Sequence, residues 1–496
     1  MSLVPVPPPS TTAALPDDEA ARRTLWRNQQ AALIVAALVI LLGLVFWRVG
    51  TLATLISLAI AGYVAGGGYK IYVLYQAARH GVPAHAPLDL PDDELPRYTV
   101  LVPLYREAVI IPGLLDALRA LDYPDARLEV LLLLEEDDEE TIEACRARPL
   151  PAHIRPLVVP QGTPKTKPRA CNEGLAAATG DYLVIYDAED RPQRDQLRKA
   201  LAAFAAAPPE VVCQQAKLAY YNGRQNALTR FFTIDYANWF DGILPGLTAL
   251  AAPIPLGGTS NHFRVAALRE LGGWDPYNVA EDADLGIRLT RRGYRTAIFD
   301  STTWEEANSR VRNWIRQRSR WIKGYMQTFL VHTRHPRRLW RELGAVNFLS
   351  FVALVGGTSA SALLNPLFWA LGVAYYITRS TAIEALFPTP IYYLGLACLL
   401  VGNFIFIYMS MFTAVRWGYE DLTKWAILMP LYWVLFSVAG YLALYELITR
   451  PHHWQKTTHG LVRERPSLAS EGELLAANDS AARAGAASAP LGQGGP

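Results

Sequence analysis

Charge is scarce in this chain of 496 residues, where Asp, Glu, Lys and Arg make up 19% against roughly a quarter in ordinary soluble domains. The 47 basic and 45 acidic residues nearly cancel, so no surplus of positive charge marks a nucleic-acid binder. Cysteine is scarcer still. Cys145, Cys171, Cys213 and Cys398 form no CxxC pair, which excludes a disulfide framework or a cysteine zinc site and fits a reducing compartment. The Pro-rich segment Met1 to Gln30 has no short apolar core followed by a small-residue cleavage site, so it does not read as a cleaved signal peptide.

Apolar residues are abundant, at 51%, in a length that suggests two or three domains. They gather in uncharged runs: Ala31 to Trp47, Thr51 to Tyr69 (continuing past Lys70 to Tyr75), Ala345 to Thr378, Ile391 to Val415 and Trp425 to Tyr445. A membrane span needs about 20 apolar residues, each adding about 1.5 Å across a core about 30 Å thick. Runs of this length point to an integral membrane protein. Arg22, Arg23 and Arg27 place the N-terminus in the cytoplasm, and two spans return the chain there at Arg79. Arg450, Lys456, Arg463 and Arg465 favour the cytoplasm for the tail as well, whereas three further single spans would leave it outside. The run Ala345 to Thr378 is longer than one span needs and is interrupted at Gly356-Gly357 and Asn365-Pro366. Two short or re-entrant segments there would give six crossings. The expected partition is a disordered cytoplasmic tail at 1–30, two spans at 31–78 and a cytoplasmic domain at 79–308. Amphipathic interfacial helices at 309–343, three or four spans at 344–449 and a polar, largely disordered tail at 450–496 complete it.

Within the cytoplasmic part, Tyr98 to Pro103, Leu128 to Leu134, Ile154 to Val159 and Tyr182 to Tyr186 read as strands. Helical patterns at Val109 to Leu121, Glu139 to Ala147 and Arg169 to Thr179 alternate with them. That alternation predicts a βαβ, doubly wound parallel sheet, whose ligands sit beyond the carboxyl ends of the strands. Two of those ends are acidic: Glu135-Glu136-Asp137-Asp138 and Asp187-Ala188-Glu189-Asp190. Carboxylates two apart can converge on a hard divalent cation that also takes phosphate oxygens. Either cluster alone reads as readily as a solvated turn or helix cap; two at equivalent positions favour a site. Between them, the basic loop Gln161 to Arg169 enters a helix, a setting that suits a diphosphate or an ordinary surface loop. Glu281-Asp282 opens a helix reaching Arg291, where Asp282 could take a proton from a hydroxyl or simply favour the helix dipole. From Arg310 to Arg341 there are ten Lys or Arg and no Asp or Glu, with Trp314, Ile315, Trp321, Ile322, Tyr325 and Phe329 at helical spacing. This describes an amphipathic helix at the membrane interface, on which Gln317, Arg320 and Trp321 share a face.

Taken in order, these pieces resemble the membrane-embedded, processive family 2 glycosyltransferases, related to cellulose, hyaluronan and other β-glycan synthases. The resemblance rests on Pro103-Leu-Tyr-Arg-Glu107, the acidic second strand end, Lys167 to Asn172, Asp187-Ala-Glu189, Glu281-Asp282 and Gln317-Arg-Ser-Arg-Trp321. The last is a full match to the family's QxxRW motif. It covers about Tyr98 to Gly324 plus the flanking spans. It implies an α/β GT-A domain, nucleotide-sugar-binding and Rossmann-like, at 79–308, joined to a multi-span α-helical membrane domain. The implied protein is an inverting hexosyltransferase of the inner (plasma) membrane with a nucleotide-diphosphate-sugar donor, most often UDP-linked. Asp187 and Glu189 would then coordinate Mg2+ or Mn2+, and Lys167 would contact the diphosphate. Tyr105, Glu107 and one of Glu135 or Asp137 would line the nucleoside pocket, with Asn172 and Arg320 among the donor contacts. Asp282, beside Glu281, would be the general base. Gln317, Arg320 and Trp321, with Gly258 and Thr259, would hold pyrophosphate and acceptor. The chain departs from the family in having DxE for DxD, with Asp190 following as an alternative ligand, Arg106 for a common Asn, and no DDG pattern at 135–138. The expected product is a β-linked polysaccharide made from UDP-glucose and coupled to export. Alternatives are single-sugar transfer to a membrane lipid, and a non-catalytic receptor or secretion subunit with a degenerate transferase domain. Expected partners are the UDP-sugar donor, the growing glycan, the lipid bilayer and export or secretion subunits, with no nucleic acid.

Overall fold

The computed structural model describes residues 15–88, 90–416 and 418–454; most of the expected C-terminal tail and the first half of the N-terminal one lie outside them. Two apolar helices come first, α1 (Arg27–Phe46) and α2 (Arg48–His80). No residue of α1 is buried, whereas the last third of α2 buries Val73, Leu74 and Ala77 against the domain that follows.

That domain opens as the apolar runs predict. β1 (Tyr98–Leu104), α3 (Ile111–Arg119), β2 (Leu128–Glu135), α4 (Glu139–Arg146), β3 (Ile154–Val159), α5 (Lys167–Ala177) and β4 (Tyr182–Ile185) alternate along the chain. The four strands pair in parallel in the order β3-β2-β1-β4. β2 is buried along its whole length, as a strand covered on both faces must be. Beyond β4 the sheet becomes mixed, with β6 and β8 parallel to each other. β5 (Arg191–Pro192), α6 (Gln196–Ala206), β6 (Val211–Tyr220), β7 (Asn261–Arg264) and β8 (Arg295–Glu305) extend it to eight strands in the order β3-β2-β1-β4-β7-β6-β8-β5. β7 runs antiparallel to both β4 and β6. The β6–β7 connection holds α7 (Ala227–Ala237), a π-helical turn (Asn238–Ile243) and α8 (Leu244–Ala249). α9 (Val265–Glu270) and α10 (Glu281–Arg291) fill the next one.

The chain then runs through α11 (Val311–His332), α12 (Pro336–Phe351), α13 (Gly357–Thr378), α14 (Thr381–Glu384), α15 (Thr389–Ala397), α16 (Asn403–Arg416), α17 (Thr423–Ala426) and α18 (Met429–Thr449). Gly344, at φ 72°, turns the basic start of α12 into its apolar end. From there the helix continues through a π-helical turn (Val352–Gly356) to the end of α13. One long helix therefore takes the place of the two-segment alternative for Ala345 to Thr378.

Among the described residues, five helices are long and apolar enough to cross a membrane: α1, α2, α12–α13, α15–α16 and α18. α18 differs from the rest in where its ends lie. Near its start, the Tyr432 hydroxyl is 3.2 Å from Arg318 of α11 and 3.4 Å from Asp235 of α7. Near its end, Glu446 accepts from Lys323 Nζ at 2.9 Å, and just beyond, the Pro451 carbonyl accepts from Gln327 at 3.1 Å. α18 thus lies along α11, in the same direction, with both ends against helices that adjoin the sheet domain. α1 and α13 lead away from that domain and α2 and α16 lead back, the last held by Asn238 through Ser410 at 2.8 Å and Thr413 at 2.5 Å.

The segment before α1 was expected to be disordered, and from residue 16 it is docked instead. The Arg334 guanidinium donates to the carbonyls of Asp17, Asp18, Ala20 and Arg23. Buried Glu19 pairs with Arg292 at 3.0 Å and Arg291 at 3.4 Å.

Candidate active site

The strand-end rule locates the chemistry. A cavity of about 2100 Å³ opens where β1, β2, β4 and β8 end and α5 and α10 begin. It collects Tyr105, Glu107, Glu135, Lys167, Asp187, Glu189, Gly258, Thr259, Glu281, Asp282, Gln317, Arg320 and Trp321, residues from seven separate stretches of the sequence.

Lys167, the first residue of α5, pairs through Nζ with Asp187 and donates to the Gly258 carbonyl at 2.7 Å. Burial alone would lower its pKa, but the Asp187 and Glu281 carboxylates outweigh burial and raise it. Asp282 sits in the first turn of α10, its Oδ1 accepting from the Ala283 N–H at 2.7 Å. Burial raises the pKa of both carboxyls of this coupled pair; Asp282 helps push Glu281 up to about 7. Gly258 faces them so closely that a Cβ there would stand 3.4 Å from Asp282 Oδ2.

The turn after β4 separates two roles among its acids. Asp187 and Glu189 line the cavity. Asp190 turns inward, its Oδ2 accepting from the Asp187 N–H at 2.7 Å and meeting the Thr259 hydroxyl. On α11, Gln317 is oriented by Asn308, which donates to its Oε1 at 2.7 Å. The Arg320 guanidinium lies 5.2 Å from the Trp454 ring, and Trp321 lies under Arg318 at 4.5 Å. At the ends of β1 and β2, Lys165 Nζ stands 3.9 Å from the Tyr105 ring centroid, and Glu135 pairs with Arg169 at 2.9 Å.

Two expected donor contacts lie elsewhere. Asp137 stands outside the cavity, paired with Lys165 at 2.5 Å. Asn172 bridges α5 to the loop before α10, donating to the Trp274 carbonyl at 2.8 Å and accepting from the Trp274 N–H at 2.9 Å. An amide so engaged on both sides is a latch between elements.

The sequence reading also passed over Glu305, the last residue of β8 and part of the cavity wall. The same rule that marked the ends of β2 and β4 would have marked Glu305-Glu306. Pairing of Arg191 with Trp304 places Glu305 beside the 187–190 turn. Glu305 Oε1 and Asp190 Oδ1 are buried atoms without a hydrogen-bond partner, and burial with the neighbouring carboxylates raises the pKa of Glu305 well above the ordinary range. Such an excess of unpartnered carboxylate oxygen fits a divalent cation held by Asp187 and Glu189. Among the described residues no three His, Cys, Asp or Glu side chains already converge on one point, so such a cation would need further oxygens from the donor diphosphate and water.

The cavity continues from Asp282 into the membrane helices. There its walls are Gly62, Tyr63 and Gly66 of α2, Ala360 and Leu364 of α13, and Phe406 of α16. Three π-helical turns (Asn238–Ile243, Val352–Gly356 and Cys398–Gly402) border it, a helix form that often marks functional sites.

An eight-stranded mixed sheet with carboxylates at its strand ends, joined to apolar helices, is the architecture of a membrane GT-A protein. The family model described as glycosyl transferase family group 2 matches residues 182–439, just over half of the chain, and the chain belongs to that family, on its cellulose synthase-like side. It is similar to a probable glycosyltransferase, YdaM, of Bacillus subtilis (strain 168), at 29% identity over 245 residues, covering 47% of this chain and 56% of that one. It is similar to glucomannan 4-beta-mannosyltransferase 2 of Arabidopsis thaliana, at 26% over 287 residues, covering 54% and 53%. It is also similar to the cellulose synthase 1 catalytic subunit (UDP-forming) of Komagataeibacter xylinus, at 28% over 276 residues, covering 53% and 36%. The chain thus spans about half the length, or less, of these relatives. Among solved structures, the mannosyltransferase PcManGT from Pyrobaculum calidifontis, in complex with GDP-Man and Mn2+, shares the fold. Its TM-score is 0.52 at 21% identity, covering 80% of this chain and 99% of that one.

Proposed function

We propose that this protein is a membrane-embedded hexosyltransferase that moves a sugar from a nucleoside diphosphate, UDP in the first instance, to an acceptor hydroxyl with inversion. The observation that carries this reading is the position of Asp282, at the junction between the donor end and the membrane end of one continuous cavity. Asp282 takes the proton of the acceptor hydroxyl as that oxygen bonds to the anomeric carbon. Lys167 steadies the negative charge left on the departing diphosphate. A Mg2+ or Mn2+ ion at Asp187 and Glu189, when bound, supplies further neutralisation of that diphosphate. Gln317, Arg320 and Trp321 orient the pyrophosphate and the acceptor. The ends of the helices support four membrane crossings (α1, α2, α13 and α15–α16), with α18 in the plane of the interface and the catalytic domain cytoplasmic.

For the acceptor, the relatives support extension of a β-linked polysaccharide from UDP-glucose with export, in which export or secretion subunits would take part. The apolar membrane half of the cavity favours a second reading, transfer of a single sugar to a lipid. Incubating purified protein in nanodiscs with labelled UDP-sugars and Mg2+ or Mn2+ tests the proposal. Labelled product is expected from wild type and none from Asp282→Asn. No product from any donor would overturn it, and product size separates the two acceptors.

A further inference from the structure

Resting on the transferase reading above, we infer that the acceptor is a neutral membrane lipid bearing a free hydroxyl, whose hydrocarbon lies in the membrane half of the cavity. Three observations converge on that occupant. First, the walls there offer little to a sugar. The charged side chains of that half are few: Lys70, 5.9 Å from the Phe406 ring centroid, and Asp235, paired with Arg318. Several polar side chains are already engaged, Tyr63 with Asn365, Ser359 with the Val355 carbonyl at 3.2 Å, and Asn403 with the Leu399 carbonyl at 2.7 Å, while the buried Ser437 hydroxyl has no partner. A glycan would lose the water on its hydroxyls in exchange for few partners, whereas an acyl chain loses nothing.

Second, the enclosure is a groove and not a tube. α2 packs against both α13 and α15, but α13 makes no extended contact with α15 or α16. Leu367 and Val373 of α13 and Leu399 and Val401 after α15 are exposed, so a chain entering sideways from the lipid would meet apolar surface.

Third, the inner end of the groove selects the head of the lipid. It meets Glu281 and Asp282, two buried carboxyls with Asp187 close behind Lys167. A phosphate oxyanion would have no proton for Asp282 to remove, whereas a neutral hydroxyl supplies one. In the step itself the lipid oxygen bonds to the anomeric carbon and its proton passes to Asp282. The bond from that carbon to the diphosphate oxygen breaks, and the nucleoside diphosphate leaves with the electron pair.

The test uses full-length protein in phosphatidylglycerol vesicles with or without dioleoylglycerol, with a soluble β-gluco-oligosaccharide as the competing acceptor. Labelled UDP-sugars, with Mn2+, are the donors. The expected result is an organic-phase product that appears only with dioleoylglycerol and carries one sugar. Narrowing the groove with Gly66→Leu or Ala360→Phe is expected to raise the KM for dioleoylglycerol at least 10-fold, while the thermal shift produced by UDP and Mn2+ is retained. Leu42→Phe, on the exposed face of α1, is expected to leave that KM unchanged. Extension of the oligosaccharide, or a large water-soluble product made without dioleoylglycerol, would overturn the lipid inference yet leave the transferase reading standing. The absence of transfer to either acceptor would overturn both.

Discussion

Asp282 reaches the cavity because the residue opposite it, Gly258, has no side chain, and because burial keeps its carboxyl a stronger base than a surface aspartate. Asp282→Asn removes the proton acceptor while conserving shape. Transfer should fall about 100- to 10,000-fold, with UDP binding, followed by calorimetry, close to wild type. Since Glu281 and Asp282 titrate together and both are raised, kcat/KM should climb with pH through the region near 7, where Glu281 lies. A profile flat from pH 5 to 8 would contradict the assignment of Asp282 as base. The same shifts act on stability with the opposite sign. A carboxyl whose folded pKa is raised holds its proton longer in the native state, so its contribution is present below the ordinary carboxylate range and is lost as pH rises through the folded value. Glu305→Gln removes one such group, and in EDTA it should flatten the fall of Tm between pH 5 and 8. The chain order of the motifs led to Asp187, Glu189, Lys167 and the QxxRW residues, which the fold brings to one cavity. Of Glu135 and Asp137 it is Glu135 that lines the cavity, and Asn172 lies outside it, because a motif says which residues are near a site, not which way they turn. Glu305 escaped for want of an apolar run to announce its strand.

At the scale of elements, the parallel half of the sheet was readable because its strands are nearly unbroken apolar runs. β6 is almost wholly buried yet carries Gln214, Gln215 and Lys217, and β7 is four residues long, so neither shows a hydrophobic period. Helices α10 and α11 meet at a contact that admits no side chain: a Cβ on Gly324 would stand 2.2 Å from Ala280 Cβ and 2.6 Å from its nitrogen. Gly324→Ala should therefore displace the start of α10 and with it Asp282. The expected outcome is a kcat loss of at least 10-fold for a stability cost of about 1–3 kcal/mol. α11 and α18 are joined by a buried ion pair, Lys323 with Glu446 at 2.9 Å. Lys323→Met leaves the carboxylate alone and should cost about 3–5 kcal/mol. Pairing it with Glu446→Leu should recover most of that, as a double-mutant cycle on chemical unfolding would report.

Across the whole molecule, composition foretold a membrane protein and left its topology unsettled, because an apolar helix of 21 residues reads the same whether it crosses a bilayer or lies in its surface. With α18 lying in the interface, as proposed above from its contacts at both ends, a basic tail no longer conflicts with an odd number of apolar helices. A reporter joined after Trp454 should stay on the side of the catalytic domain, while a cysteine at Thr381 should be labelled from the opposite side. Export of the reporter would mean that α18 crosses.

The two ends of the described chain meet. His452 Nε2 lies 3.1 Å from the Arg22 carbonyl and Nδ1 lies 3.1 Å from that of Tyr277, while Trp454 stacks beside Arg320 of the QxxRW motif. Synthesis runs from the first of these contacts to the last, and domains fold as they emerge. A ribosome-bound chain thus acquires its sheet early and the final wall of its cavity, at His453 and Trp454, only after α18 has been laid down.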